Sequence, residues 1–158
     1  MKTTLIISSL ALACFGGEFN HESYIPCDLD SLIDSTPIVK KVKNSTKQVF
    51  DIYSSQIRKC IGKISRMPVK LDTLPDTKSN VYEKILKTIS KQKIPPIKHV
   101  IEIETAKGRK IVMLIQTPLV EDIYNEAQVG TELELYCLHY FNDEEGPGLL
   151  ISDFKILK

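Results

Sequence analysis

The spacing of apolar residues changes period at Ile94-Pro95-Pro96, and this change requires a fold built from two kinds of element. Beyond the prolines, His99-Val100-Ile101-Glu102-Ile103-Glu104-Thr105 alternates with period two, as a half-buried strand does. Ala106-Lys107-Gly108-Arg109 supplies a tight turn, and Lys110 to Gln116 returns as a hairpin partner. The unbroken run Ile111-Val112-Met113-Leu114-Ile115 predicts a central strand covered on both faces. Pro118 to Ala127 reads as a short helix or structured loop. Glu132 to Phe141 and Leu149 to Ile156 read as two more strands around the turn-rich Asn142 to Gly148.

Before the prolines the spacing is helical. Ser35-Thr36-Pro37 offers a cap and a first-turn proline, and Ile38, Val42, Val49, Tyr53, Ile57, Cys60, Ile61 and Ile64 follow at helical intervals up to Met67-Pro68. Asn80 opens a second helix with Val81, Ile85 and Ile89 on one face. The expected class is therefore α+β, with N-terminal helices over about 36–67 and 79–92. They would pack on a small antiparallel barrel of the OB or SH3-like kind over about 97–157.

The strings Leu114-Ile115-Gln116-Thr117-Pro118, Val129-Gly130, Leu138-His139-Tyr140-Phe141 and Leu149-Leu150-Ile151-Ser152-Asp153-Phe154 resemble the C-terminal half of short, uncharacterised exported bacterial proteins. The resemblance spans residues 97–158. It implies a barrel and a bacterial source, and it carries no catalytic signature.

At the N-terminus, Met1-Lys2 precedes the apolar run Leu5 to Ala13, and small residues follow. These are the parts of a signal peptide, expected over residues 1–17, which leaves 18–158 as one domain with a helical half (18–96) and a β-rich half (97–158). Ala11-Leu12-Ala13 is one cleavage site and would leave Cys14 first, in a setting that resembles a lipobox. Cleavage after Gly16 or Gly17 would discard Cys14. The expected location is periplasmic or secreted, with any membrane tether made through a lipid on Cys14.

Export permits disulfides. A Cys27–Cys60 bridge would pin the N-terminal arm, a stabilisation of roughly 3–4 kcal/mol by loop-closure entropy. Cys137 lies in a strand with Leu133 and Leu135 and reads as a buried thiol, or alternatively as a nucleophile paired with His139 on the same strand face.

Charge is segregated along the chain. Residues 37–98 hold 15 Lys or Arg against 4 Asp or Glu, whereas residues 99–158 hold 5 against 11. The lysines either line solvated faces or offer Lys40, Lys41, Lys43, Lys47, Lys59 and Lys63 to an anionic surface. The barrel is the acidic half, and with export this argues against nucleic acid. No metal-ligand spacing, P-loop, nucleophile elbow or dinucleotide fingerprint occurs, so no cofactor is expected. The expected function is a non-catalytic extracytoplasmic binding or assembly module of a bacterial envelope, with an envelope protein or anionic polymer as partner. The alternatives are a small hydrolase or thiol enzyme using Cys137 and His139, and an inhibitor presenting the acidic loop at 142–148.

Overall fold

Five strands close into a barrel because each carries apolar side chains toward a common interior. The computed structural model describes residues 20–36, 51–74, 82–83, 86–87, 96–143 and 146–158. Its strands are β1 (Ile25–Pro26), β2 (Asp51–Lys70), β3 (His99–Glu104), β4 (Lys110–Ile115), β5 (Glu132–Asp143) and β6 (Gly146–Ile156). Two helices accompany them, α1 (Leu29–Ser35) and α2 (Thr117–Glu126). The sheet order is β1-β2-β3-β4-β6-β5, and β2 also pairs with β5, which closes the barrel from β2 to β5. The class is α+β with a barrel.

The β-rich half follows its hydrophobic pattern closely. β3 and β4 form the expected hairpin, its turn carried by Gly108 at φ 76°. The run in β4 is covered on both faces: Ile111, Met113 and Ile115 enter the interior cluster, while Leu114 and Val112 face a second cluster. That second cluster holds Val100, Leu138 and Leu150 on alternate strand positions, and it is covered by Leu74 and Tyr82. Pro118 stands in the first turn of α2, which fits its fixed φ. One pairing departs from an all-antiparallel barrel: β4 runs parallel to β6 through Leu114↔Leu150 and Ile115↔Ile151, because α2 carries the chain across between them.

The N-terminal half corrects the expectation of a long helix over 36–67. Residues 51–70 are a 20-residue strand, and this strand closes the barrel. Cys60, Gly62 and Ile64 are buried at alternate positions, while Lys59, Ile61 and Lys63 point outward. Register shifts near residues 52–56, 64–66 and 66–69 break the alternation, which is how an extended segment imitates helical spacing. Residues 37–50 lie outside the described residues. Ser35-Thr36-Pro37, read as a helix start, instead marks an end. Thr36 donates its N–H (3.0 Å) and its Oγ1 hydroxyl (2.6 Å) to the Leu32 carbonyl, and its extended backbone suits the residue before a proline. Of the second expected helix, residues 82–83 and 86–87 are helical; the rest of 79–92 lies outside the described residues. So does the expected signal peptide, 1–17. No helix among the described residues is long and apolar enough to cross a membrane.

A buried carboxylate fixes α1 to the barrel. Asp30 is 1% exposed. It accepts hydrogen bonds from Thr105 Oγ1 (2.8 Å) and the Lys107 N–H (2.9 Å), with Arg109 Nε at 3.5 Å. These donors belong to the β3–β4 turn, so one side chain ties the arm to the hairpin. Replacing Asp30 with Ala strands the Thr105 hydroxyl and the Lys107 amide in a dry site. A loss of about 2–4 kcal/mol is expected in urea unfolding, with no change in strand content by circular dichroism.

Candidate functional site

The residues before α1 form an arm along the outer edge of β2. Upstream, His21 Nε2 lies 2.7 Å from Asp153 Oδ2, and its ring stacks 4.4 Å from that of Tyr136. Tyr24 meets Tyr136 edge-on at 5.3 Å. Ile25 and Pro26 then run parallel to Arg58 and Lys59, and Cys27 donates its N–H to the Lys59 carbonyl at 2.7 Å. Asp28 caps α1, accepting from the Ser31 N–H (2.8 Å) and hydroxyl (2.6 Å).

On this edge the arm pairs with β2 up to Lys59, and β3 takes over at Lys63, opposite Glu104. Between them lies a groove of about 740 Å³, walled by Pro26–Leu29 on one side and Glu104–Ala106 on the other. Its floor is Cys60, Ile61 and Gly62. Backbone groups alternate in direction along a strand, so Ile61, two residues from Lys59 and two from Lys63, turns its N–H and C=O toward the gap. Its side chain is 53% exposed, an apolar patch at the centre of a polar rim. Gly62 permits the close packing beneath, since a methyl there would overlap the Ile103 side chain and lie 3.2 Å from the Glu104 carbonyl.

The rim carries Asp28, Glu104, Glu132 and Glu134 against Lys59 and Lys63. Lys59 lies 3.9 Å from Glu134, and Lys63 stands opposite Glu132 in the ladder. The two described lysines of the expected anionic-surface set are therefore surrounded by carboxylates rather than gathered into a basic patch. Lys40, Lys41, Lys43 and Lys47 lie outside the described residues.

The cysteines converge here. Cys27 and Cys60, the pair expected to be bridged, are free thiols 4.0 Å apart, and Cys137 is also free. Cys27 is half-buried in the groove wall, and burial raises its pKa above the ordinary 9.0. Cys137 is wholly enclosed; its hydrogen bond with Cys60 and its burial push its pKa well above 9.0. A nucleophilic thiol needs the opposite environment, one that favours the thiolate. His139, its expected partner, is buried with Nε2 2.6 Å from Asn142 Oδ1. Cys14 lies outside the described residues. In the acidic loop, Asp143 pairs with Gly146 to close the β5–β6 hairpin. Among the described residues no group of three or more His, Cys, Asp or Glu is placed to hold a metal ion. No protein-family model matches the chain, and no curated protein shows significant similarity to it.

Sequence reasoning missed the groove because it assigned Ile61 and Gly62 to a helix. The available signal was an apolar residue flanked by Lys59 and Lys63 at i−2 and i+2, a strand pattern with one position out of place.

Two outcomes follow from these environments. Iodoacetamide should label Cys27 first, slowly at neutral pH and faster as pH rises past 9.0, while Cys60 and Cys137 react only on unfolding; mass spectrometry reads the order. For acid stability, the Ser31 hydroxyl and amide hold the Asp28 carboxyl below its ordinary 3.8, and the Arg109 guanidinium does the same for Asp34. Folded values below unfolded ones mean that this stabilisation is complete above pH 3.8 and is lost as pH falls below it. Thermal melts should show the midpoint dropping in that range, with a shallower drop in a Ser31→Ala, Asp34→Asn double variant.

Proposed function

We propose that the chain is a non-catalytic, extracytoplasmic binding or assembly module of a bacterial envelope, built on an OB-type barrel, and that its groove receives an extended basic polypeptide segment. The OB reading is supported by the connectivity. The first three barrel strands are consecutive neighbours (β2, β3, β4), the last (β6) lies parallel to the third, and the fourth (β5) closes on the first. The helix between the third and fourth strands has the place it takes in that plan. The signal-type N-terminus supports export.

The groove at Ile61 carries the functional reading. It combines an exposed apolar side chain, one residue's backbone groups directed into a gap between strands, and a rim with four carboxylates against two ammonium groups. An extended chain can supply the missing rung of hydrogen bonds and place an apolar side chain on Ile61, with lysines on either side meeting Glu104, Glu132 and Glu134. An anionic polymer would face net repulsion there. A thiol enzyme finds no support, since Cys137 is held as a buried, protonated thiol.

An alternating lysine–valine hexapeptide is the direct probe, followed by amide chemical shifts. Shifts should centre on Ile61 and its neighbours and weaken with added salt. Ile61→Lys places a cation on the floor and should lower affinity at least about tenfold, or 1.4 kcal/mol. Absence of binding, or binding indifferent to Ile61→Lys, would remove the proposal.

A further inference from the structure

Three thiols meet at the groove floor, and the strand register makes them unequal. Ile25 and Pro26 pair with Arg58 and Lys59 in parallel, so the next rung sets Cys27 beside Cys60. Neighbouring strands lie about 4.8 Å apart, inside the 4.4–6.8 Å Cα window of a disulfide. Cys137 is opposite Arg58, not Cys60, which makes Cys60 and Cys137 diagonal neighbours. Diagonal Cα atoms stand about 7–8 Å apart, beyond the reach of a bridge without backbone movement. Oxidation is therefore directed to Cys27 and Cys60.

Exposure sets the order of events. Cys27 lines the groove and is half-buried, whereas Cys60 is 3% exposed. An oxidant of the disulfide class, such as oxidised glutathione, meets Cys27 first. The Cys27 sulfur attacks it, a mixed disulfide forms, and one glutathione leaves with the proton from Cys27. The Cys60 sulfur then displaces the second glutathione, which takes the remaining proton. Two protein thiols are oxidised to one disulfide, and one glutathione disulfide is reduced to two thiols.

The bond would have a consequence for the groove. The Cys27 N–H occupies the Lys59 carbonyl, so an incoming strand that pairs at Ile61 can extend toward Lys59 only if Cys27 moves off the edge. The segment to be displaced is small: β1 is two residues long, and both are exposed. His21 and Asp30 hold the arm on either side, so the displacement stays local. A Cys27–Cys60 bond forbids it.

We propose that the groove is redox-gated, with the Cys27–Cys60 dithiol admitting an extended partner strand and the disulfide confining it to the single rung at Ile61. The gate rests on the groove being the binding site. A ligand gains from a conformational choice only its differential affinity for the two states, and here that difference is the additional pairing at Lys59.

The test uses the full chain in two preparations, one reduced and one equilibrated with oxidised glutathione, each titrated with the alternating lysine–valine hexapeptide. Peptide mapping without reductant should find Cys27 joined to Cys60 and Cys137 free, and the oxidised form should bind at least about tenfold more weakly. Cys60→Ser should bind like the reduced protein whether or not oxidant has been present, and Cys27→Ser should behave the same way if Cys60→Ser proves unstable. A bond between Cys60 and Cys137, no bond at all, or equal affinity of both forms overturns the gate while leaving the groove reading intact. No binding to either form overturns both.

Discussion

β2 pairs with β5 through its first half and with β3 through its second, and the two ladders meet at Lys63, opposite Glu132 on one side and Glu104 on the other. A barrel of five strands closes only if one strand is long enough to change partners in this way, and the 20 residues of β2 provide that length. Because β3 begins only at Lys63, the earlier part of β2 has a free edge. The arm covers part of that edge and leaves the rest as the groove. Barrel closure, arm and groove are thus three results of one change of partner.

The β-rich half was legible in the sequence because its strands are bounded by strong turn residues and alternate cleanly. His99–Glu104, Lys110–Ile115 and α2 lie within a residue or two of where the pattern puts them. β2 was not legible. Three register shifts, the outward Ile61 and the inward Gly62 place apolar residues at 57, 60, 61 and 64, which is also a helical spacing. Tertiary pairing decided between two readings that local pattern could not separate. The arm's role was half visible: Cys27 and Cys60 were matched, but by an assumed contact between an arm and a helix. The structure brings them together as neighbouring strands with free thiols.

The charge segregation along the chain also changes meaning once β2 is a strand. Arg66 lies 3.8 Å from Glu102, Lys59 lies 3.9 Å from Glu134, and Lys110 meets the same Glu102 at 3.7 Å. Bases from the first half interleave with acids from the second across adjacent strands. A pattern that looks dipolar in one dimension becomes cross-strand pairing in three. Each such pair is partly exposed and adds little stability alone. Together they discourage a slipped register, since a shift by one position would turn the lysines of β2 toward the interior.

Asp30 has a bearing on the order in which the molecule can assemble. Its partners, Thr105 and the Lys107 amide, come together only once the chain has turned between β3 and β4. The hairpin is a local structure and closes quickly, whereas the pairing of Asp51 with Asn142 spans most of the chain and carries a larger loop entropy. The arm therefore has no dry, fully bonded seat until the hairpin exists, and docking it earlier would bury a carboxylate without donors. The buried aspartate works as a checkpoint: the N-terminal segment, first to emerge during synthesis, waits for a turn made some seventy-five residues later.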